Sequence, residues 1–505
     1  MSGDPIPRGA TLRSVALEVG GAHVVGDESV YVTDVRHDSR AVEPGDLFVV
    51  RRGARHDGVR FVEQAVARGA IAVLASEPVA APVPTVVAAD VDRAMAFAAS
   101  AVWAHPTWSL DLVGITGTNG KTTTAWILEH ALRALRVRCG LLGTVLSRCE
   151  HLAWDAAHTT PESDELTRRL AAMRSIGATH AVMEVSSHAL ALGRVEASRF
   201  RVAAFTNLTQ DHLDFHGSLD AYRAAKRRLF VDLAPGASVL NVDDETGRAF
   251  AVDVEAPWTY SAAGADATLR VRSGGATPAG IDAVIATPEG DVALRSPLLG
   301  AHNVENLLAA LGVLGRLGFG LAASAAALAD AVGAPGRLEA VRLPGREAPF
   351  DVLVDYAHTP DALERVLVAL RRTTRGRLIC VFGCGGDRDR TKRPRMGEAV
   401  ARGCDVAVLT SDNPRTESPS AILDEVEPGL RAGGMIPAAS DAPGRGSYLR
   451  VTDRREAIDA AVRLAAPGDV VLIAGKGHET YQEVHGVRAP FDDRDEARRA
   501  MQERS

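Results

Sequence analysis

Residues 112–123, which read LVGITGTNGKTT, decide the fold of the central part of the chain. The first two are apolar and predict the end of a buried strand. Beyond the glycines, Ile127, Ala131 and Leu135 recur at a spacing of four and predict a helix with one apolar face. A glycine loop between a strand and a helix turns backbone N–H groups towards a phosphate, and the helix N-terminus adds partial positive charge. The stretch therefore predicts a site for a nucleoside triphosphate.

The side chains of this loop fit the same interpretation. Lys121 is expected to reach the terminal phosphates, and Thr122 to bind Mg²⁺ through its hydroxyl. The strict nucleotide-loop pattern has glycine at position 115, where this chain has isoleucine. A tight glycine turn without a nucleotide is the alternative, but the order of strand, loop, lysine, hydroxyl and helix argues against it. The predicted nucleotide contacts are Gly117, Thr118, Asn119, Gly120, Lys121, Thr122 and Thr123.

Two further apolar strands are predicted to end in polar residues. Glu184 closes one of them, and His212 lies in a dense polar cluster that follows the other, within residues 205–214. Because the carboxyl ends of parallel strands meet at one edge of a sheet, both side chains are candidates to lie beside the phosphate loop. Carboxylate and imidazole groups near a triphosphate suit Mg²⁺ or Mn²⁺. For His212 alone, a hydrogen-bonded loop histidine is the competing explanation.

Lys226 occupies an unusual place in a helix predicted over about residues 219–233. It lies on the same face as Tyr222, Leu229 and Phe230. Such a lysine commonly extends along the apolar surface to reach water. A buried lysine instead has a lowered pKa and can be a neutral amine. A neutral amine can take up CO₂ as a carbamate, which would convert Lys226 into an oxygen ligand beside a second metal.

The last third of the chain predicts a parallel sheet with crossover helices. Its four apolar runs are residues 352–354, 378–382, 406–409 and 470–473. Polar residues follow each run, at the strand ends where open parallel sheets bind ligands. Arg388 and Arg415 could hold a carboxylate, and Asp412 or Glu479 an ammonium group, which together suit a zwitterion. The alternative is that these polar loops only cap the strands.

Length and composition limit the number of domains and the classes of function that are possible. A chain of 505 residues is too long for one core and indicates about three domains. The domains predicted from the pattern are residues 1–107, 108–342 and 343–505. A net charge of -7 argues against nucleic acid as the main partner. Five scattered cysteines, no signal peptide pattern and no long apolar run predict a cytoplasmic protein with no membrane insertion.

Taken together, these segments resemble the Mur ligases of peptidoglycan synthesis over nearly the whole chain. The matching blocks are residues 116–123, 159–161, 184–188, 207–212, 222–226, 300–306, 335–337 and 355–360. The resemblance implies an α/β protein of three domains. They are an N-terminal α/β domain that binds the UDP end of a precursor, a central P-loop ATPase-like domain with a parallel sheet, and a C-terminal Rossmann-like domain that binds an amino acid.

The resemblance also implies roles for particular residues. Lys226 matches the lysine that family members carry as a carbamate (N6-carboxylysine), and Leu192 stands where the family has glutamine. The implied precursor contacts are Ser39, Thr159, Thr160, Ser186 and Arg194. The implied nucleotide contacts outside the loop are Asn303 and Arg337. The implied contacts of meso-diaminopimelate are Arg388, Asp412, Asn413, Pro414, Arg415, Gly475 and Glu479.

The implied reaction is the ATP-dependent addition of meso-diaminopimelate to UDP-N-acetylmuramoyl-L-alanyl-D-glutamate through an acyl phosphate, with release of ADP and phosphate. ATP is the co-substrate, two Mg²⁺ sites are expected, and the chain is expected to act as a monomer. The expected catalytic residues are Lys121, Lys226, His212 and His358. Either His358 or a nearby carboxylate could deprotonate the amine, and the sequence leaves both open.

Two other functions compete with this interpretation. One is a related ligase that adds lysine or, as folylpolyglutamate-type enzymes do, glutamate; the UDP-type first domain and Arg415 argue against it. The other is a nucleotide-switch protein that makes no amide bond. A switch protein would need mobile segments, and it would have no use for a second sheet lined with zwitterion-binding groups.

Overall fold

The computed structural model describes residues 8–504 apart from 52–57, 157, 234, 278–279, 344, 346–347, 372–373 and 441–442. Three main β-sheets follow one another along the chain, each covered by helices. We refer to them as the first sheet, with five strands, the central sheet, with eleven, and the third sheet, with seven. Within the described residues, no helix has the length and apolar character needed to span a bilayer. The predicted α/β class is confirmed.

The first sheet is built by the N-terminal hundred residues. The elements are β1 (Ala10–Thr11), α1 (Leu12–Val19), β2 (His23–Val25), β3 (Tyr31–Val32), β4 (Asp34–Arg36), β5 (Asp46–Val49), α2 (Val62–Ala67), β6 (Ala72–Ala75), β7 (Thr85–Val87) and α3 (Val91–Val102). The strand order is β2-β7-β6-β5-β4, and only β2 is antiparallel to its neighbour. Strands β1 and β3 form a separate two-stranded ladder.

The central sheet carries the phosphate loop. The elements are β8 (Asp111–Thr116), α4 (Lys121–Ala134), β9 (Cys139–Leu142), β10 (Ser147–Cys149), β11 (Leu152–Trp154), α5 (Ser163–Ser175), β12 (His180–Glu184), α6 (Ser187–Ala191), β13 (Phe200–Phe205), α7 (Leu213–His216), α8 (Leu219–Val231), β14 (Ser238–Asn241), α9 (Glu245–Asp253), β15 (Trp258–Ser261), β16 (Leu269–Thr277), β17 (Gly280–Thr287), β18 (Gly290–Ser296), α10 (His302–Arg316) and α11 (Leu321–Leu328). The strand order is β11-β10-β9-β12-β8-β13-β14-β15-β16-β17-β18.

The interior of the central sheet is parallel, as predicted, and its edges are antiparallel hairpins. Strands β16 to β18 form one edge. Strand β8 lies between β12 and β13, and its apolar side chains pack into two hydrophobic clusters, one on each face of the sheet. Val113 and Ile115 pack with residues of α4 and α10, whereas Leu112 packs with residues of α5 and α8. A sheet covered on both faces explains why β8 reads as a continuous apolar run.

The third sheet ends the chain. The elements are β19 (Glu339–Ala340), β20 (Asp351–Asp355), α12 (Pro360–Arg371), β21 (Leu378–Phe382), α13 (Lys392–Gly403), β22 (Val406–Leu409), α14 (Pro419–Ala432), β23 (Ile436–Pro437), β24 (Ser447–Arg450), α15 (Arg454–Leu464), β25 (Val470–Ala474), β26 (Tyr481–Val484), β27 (Val487–Pro490) and α16 (Asp493–Glu503). The strand order is β19-β20-β25-β21-β22-β24-β23, and β26 pairs with β27 in a hairpin. The four predicted strands are β20, β21, β22 and β25, and they are mutually parallel.

A fully buried ion pair joins the last helix, α16, to the start of α15. Arg454 and Asp493 are both without solvent exposure, and two guanidinium nitrogens donate to the two carboxylate oxygens at 2.7 Å. Because removing one partner leaves an uncompensated buried charge, Asp493→Ala should lower the free energy of unfolding by about 3–5 kcal/mol. Urea unfolding would measure this change.

A matched control for that substitution exists in the same helix. Asp495 pairs with Arg498 on the surface, where the Asp495 side chain is 72% exposed. Asp495→Ala should change stability by less than about 1 kcal/mol. Equal effects of the two substitutions would contradict the expected difference between buried and exposed pairs.

Candidate active site

The phosphate loop lies between the end of β8 and the start of α4. Lys121 folds back over the loop and donates to the carbonyl oxygens of Gly117 and Thr118, each at 2.9 Å. Gly117 and Gly120 have positive φ angles of 149° and 88°, and a Cβ atom on Gly117 would lie 1.9 Å from the hydroxyl of Thr206. In the described part of the chain, no side chain caps the N-terminus of α4. Its first backbone N–H groups are therefore available to an anion.

Burial lowers the pKa of Lys121, and the nearby charges of Glu184 and Asp211 oppose that change. A bound triphosphate would add to the same opposing effect and favour the charged lysine. The positive charge of Lys121 would therefore be more stable with a phosphate bound in the loop than without one.

Glu184 lies beside this loop, as the parallel pairing of β12 and β8 requires. The hydroxyl of Thr122 donates to Glu184 Oε2 at 2.8 Å, and Thr144 donates to the same carboxylate from its backbone N–H and its hydroxyl at 2.7 and 3.1 Å. Glu184 is almost fully buried. A hydroxyl and a carboxylate next to a phosphate site form a hard oxygen donor set that fits Mg²⁺. Among the described residues, no cluster of three or more His, Cys, Asp or Glu side chains suits a metal.

His212 opens α7 at the same edge of the central sheet, with a positive φ of 52°. Its ring lies 4.7 Å from the ring of His188 and 6.2 Å from that of Tyr222. Its Nε2 atom is 3.4 Å from a carboxylate oxygen of Asp211. The sequence analysis did not select Asp211, although it is the direct neighbour of His212. Asp211 contributes to the charge environment of Lys121, Lys226 and His358.

Lys226 is buried, and its Nζ atom donates to the carbonyl oxygen of Gly117 at 2.8 Å. It also lies 4.6 Å from the centre of the Tyr222 ring. Burial and the neighbouring Lys121 hold the pKa of Lys226 well below its usual value. The helix face predicted for Tyr222, Lys226, Leu229 and Phe230 is confirmed, because all four side chains are buried. These surroundings favour a neutral amine that is directed towards the phosphate loop.

A small cavity of about 90 Å³ lies against the loop. Asn303 and Arg337, the two predicted contacts from outside the loop, both line it. The Arg337 guanidinium donates to the Thr122 hydroxyl at 3.3 Å and stacks 4.8 Å from the Tyr356 ring. Asn303 accepts a hydrogen bond from Asn306 at 2.8 Å. The structure therefore brings these two residues to the loop.

Helix α12 of the third sheet also reaches the phosphate loop. Asp361 Oδ2 accepts hydrogen bonds from the Asn119 side chain at 3.0 Å and from the Thr209 hydroxyl at 2.9 Å. The sequence analysis missed Asp361, because a carboxylate in the first turn of a helix is common and carries no sign of a distant partner. The phosphate loop is thus contacted both by residues that follow β13 of the central sheet and by a residue of α12, which packs on the third sheet.

Four of the five predicted precursor contacts lie close together. The hydroxyl of Thr160 donates to the Glu184 carbonyl at 2.8 Å and accepts from the Ser186 N–H at 3.0 Å. Arg194 donates to the Thr160 carbonyl at 3.1 Å, and Thr159 lies 3.1 Å from the Thr144 hydroxyl. This group surrounds the end of β12, one strand away from the phosphate loop.

Ser39 belongs to the first sheet, where its hydroxyl donates to Gln64 at 3.0 Å. It is not in hydrogen-bond contact with the other four predicted precursor residues in the part of the chain that the structure describes. A hydrogen-bonded contact and an ion pair nevertheless join the neighbourhood of Ser39 to the start of α5. His37 contacts Asp164 at 2.9 Å, and Arg51 contacts Glu162 at 3.1 Å. Glu162 also contacts Arg194 at 2.6 Å, so the first sheet docks beside the predicted precursor site.

A second cavity, of about 580 Å³, lies between the central and third sheets. The predicted amino-acid contacts that line it are Arg388, Asp412, Asn413, Arg415, Gly475 and Glu479. From the central sheet, Asp211 and His212 form part of the opposite wall. Pro414 lies between two lining residues and is not itself in the wall. The cavity therefore brings residues that follow β13 of the central sheet to the same space as the predicted amine site.

Arg415 and His358 have defined orientations in this cavity. The Arg415 guanidinium donates to the Gly386 carbonyl at 2.6 Å, and its backbone has a positive φ of 54°. His358 Nδ1 lies 2.8 Å from the Tyr356 carbonyl, so Nδ1 carries the proton and Nε2 is the acceptor nitrogen. Burial and the charge of Lys392 lower the pKa of His358. A neutral His358 can accept a proton near pH 7.

Comparison with protein families agrees with this geometry. Residues 31–102 match the model of the Mur ligase family catalytic domain, residues 115–314 the Mur ligase middle domain, and residues 336–477 the Mur ligase glutamate ligase domain. The chain belongs to the Mur ligase family.

Individual relatives cover almost the full length. The chain is 47% identical, over 92% of its length and 93% of the relative's, to a UDP-N-acetylmuramoyl-L-alanyl-D-glutamate–2,6-diaminopimelate ligase of Gloeobacter violaceus. It is 46% identical to the protein of the same name from Synechococcus elongatus, over 94% of both chains. A solved structure with that name matches with a TM-score of 0.69 and 35% identity, over 98% of this chain and 99% of the other.

Proposed function

We propose that this chain is an ATP-dependent ligase that joins meso-diaminopimelate to UDP-N-acetylmuramoyl-L-alanyl-D-glutamate. The observation that carries this proposal is the cavity of about 580 Å³, which places Asp211 and His212 of the central sheet opposite Arg388, Arg415 and Glu479 of the third. A cavity with basic and acidic side chains of the third sheet on one side and Asp211 and His212 of the central sheet on the other suits the transfer of an activated carboxylate to an amine. The names of the relatives with 46–47% identity support the same reaction.

The activation step takes place at the phosphate loop. The γ-carboxylate oxygen of the precursor's D-glutamate attacks the γ-phosphorus of ATP, and ADP leaves. Lys121 and the N-terminus of α4 stabilise the negative charge on the phosphates. Mg²⁺, when bound, would neutralise further charge on the transferring group, and Thr122 and Glu184 would hold it. We assign a second metal position to Lys226 as a carbamate together with His212.

The amide bond forms in the second step. An amino group of diaminopimelate attacks the acyl phosphate, and phosphate leaves. This amine must first lose a proton, and His358 Nε2 is our candidate for the acceptor, because His358 lines the cavity and has a lowered pKa. Arg388 and Arg415 would hold the carboxylates of the amino acid.

We assign the three sheets to three domains, residues 1–107, 108–342 and 343–505. Strand β19, at residues 339–340, already pairs with the third sheet just before the second boundary. Residues 159, 160, 186 and 194 would bind the precursor from the central domain, and Ser39 would bind its UDP end from the first. We expect the chain to act as a monomer, since a single chain supplies every residue assigned to the site.

Product analysis tests the proposal directly. The purified chain is incubated with ATP, Mg²⁺, the UDP-muramoyl dipeptide and one amine from a panel that contains diaminopimelate, lysine and glutamate. Mass spectrometry should detect the diaminopimelate adduct, and ADP release should depend on both the dipeptide and the amine. Amine-independent nucleotide hydrolysis without an adduct would exclude a ligase.

Arg415 is expected to determine the choice of amine. Meso-diaminopimelate carries one carboxylate more than lysine, and a site built for that group leaves Arg415 unpaired when lysine binds. Arg415→Ala should raise the KM for diaminopimelate by about 30- to 1,000-fold and leave the KM for ATP nearly unchanged. The unsubstituted chain should prefer diaminopimelate to lysine by at least about 100-fold in kcat/KM.

Arg445 provides a control for this substitution. It lies on the same sheet, is 62% exposed and pairs with Asp405 away from the cavity. Arg445→Ala should leave every KM within about twofold, because surface ion pairs contribute little. Equal kcat/KM values for lysine and diaminopimelate would show that Arg415 does not select the amine.

A further inference from the structure

Lys476 is a buried cation directly behind the proposed amino-acid site. It follows β25 and lies between Gly475 and Gly477, which both have positive φ angles, of 121° and 54°. Its side chain has no solvent exposure. The Nζ atom donates to Asn413 Oδ1 at 3.0 Å and lies 3.3 Å from Glu479 Oε2 and 3.8 Å from Asp412 Oδ1. Burying an ammonium group is costly unless it has such partners.

All three partners of Lys476 line the cavity of about 580 Å³, whereas Lys476 itself does not. Asn413 connects them further, because its side-chain N–H donates to Glu479 Oε2 at 2.7 Å. The Oδ1 atom of Asp412 is buried and accepts no hydrogen bond from any described residue. Such an acceptor suits an incoming ammonium group. Lys476 therefore acts on the substrate only through the groups that face it.

Two carboxylates, those of Asp412 and Glu479, lie beside Lys476, and like charges in such proximity repel each other. Burial and the charge of Asp412 raise the pKa of Glu479, and Lys476 is the nearby cation that opposes this rise. Without the cation, Glu479 would take up a proton at higher pH, and a neutral carboxyl group attracts an ammonium group weakly. Asn413 would also lose the donor that orients its amide.

We propose that Lys476 is a positioning residue that holds Asp412, Asn413 and Glu479 in the arrangement that binds the ammonium group of the amino-acid substrate. The inference rests on the proposed function, since it deepens the role of the same cavity. It assigns to a buried lysine the task of keeping Glu479 charged, and Asp412 and Asn413 in place, before the substrate arrives.

Two substitutions test this role, each in the full-length chain. Lys476→Met removes the charge and keeps a similar volume, and Lys476→Gln keeps a hydrogen-bond donor without the charge. Both should raise the KM for diaminopimelate by about 10- to 100-fold, with the KM for ATP and for the UDP-muramoyl dipeptide changed less than about threefold. Arg377→Met is the control, because Arg377 pairs with Asp469 at the opposite end of the same sheet. It should leave all three KM values unchanged.

The pH profile separates positioning from simple structural support. In the unsubstituted chain, the KM for diaminopimelate should rise as the pH falls through the pKa of Glu479. In both Lys476 variants this rise should begin at a pH about 1 to 3 units higher, because the opposing cation is gone. Glu479→Gln should remove the rise, and adding Lys476→Met to it should increase the KM little further.

Each other outcome overturns the inference. An unchanged KM for diaminopimelate in both variants would show that Lys476 does not organise the site. Equal increases in all three KM values, or two variants that unfold and no longer bind ADP, would make Lys476 a residue of stability alone. If the unsubstituted chain releases no ADP in response to diaminopimelate, the proposed function itself fails, and the inference fails with it.

Discussion

Replacing Lys121 with alanine is expected to lower kcat by about 1,000-fold or more. The lysine lies against the carbonyl oxygens of Gly117 and Thr118, at the position where the loop would hold the terminal phosphates. Its loss removes a charge that stabilises the phosphoryl group during transfer, and comparable cations contribute about 1,000-fold or more in other phosphoryl-transfer enzymes. ADP release in a coupled assay measures the rate, and the reaction should yield ADP and phosphate.

A control for this substitution lies on the same helix. Arg133 is half-exposed at the far end of α4, where it pairs with Glu129. Arg133→Ala should leave kcat within about twofold. If Lys121→Ala stays within tenfold of the unsubstituted rate, the loop does not serve catalysis. AMP and pyrophosphate as products would exclude the acyl-phosphate route.

Replacing Lys226 with alanine should lower kcat by at least about 100-fold. The buried amine lies on the carbonyl of Gly117, and its low pKa favours the neutral form that can take up CO₂. The substitution would remove the proposed carbamate from the site that would hold a metal, and the loss of groups that only support metal ligands already costs about 10- to 100-fold. Added formate or acetate should restore part of the rate, because a small carboxylate can occupy the space left by the side chain.

Arg223 serves as the control for that experiment. It lies on the same helix and is 39% exposed. Arg223→Ala should change kcat by less than about twofold and show no response to carboxylates. A fully active Lys226→Ala variant, together with electron density for an unmodified ammonium group, would exclude the carbamate.

Much of the site was predictable because one rule, that parallel strands bind ligands at their carboxyl ends, applies to both large sheets. Applied to the amino-acid sequence alone, this rule locates Glu184 at the end of β12 and Arg415 in the loop that follows β22. The order of the strands was not predictable, since β25 inserts between β20 and β21 although it is the last of the three in sequence. Strands β23 and β24 were missed because one has two residues and the other is a four-residue strand that begins and ends with a polar residue.

The missed site residues share a physical cause. Lys476 lies between glycines in a loop, a pattern that usually marks an exposed turn. Its burial depends on partners that lie 63 residues away in the chain, such as Asn413. Asp361 likewise contacts Asn119 over a separation of 242 residues. Sequence patterns describe neighbours within an element, and contacts of this length appear only when the sheets pack together.

The contact between Asp361 and the phosphate loop has a consequence for inhibitor design. The cavity at the loop measures about 90 Å³, whereas pockets for small ligands usually measure about 300 Å³ or more. A cavity of this size would have to widen to hold a nucleotide, and the bonds from Asn119 and Thr209 to Asp361 are the contacts that hold α12 against the loop. A small molecule bound between α12 and the loop would prevent these two contacts from forming, and its effect on the rate would show whether the reaction needs them.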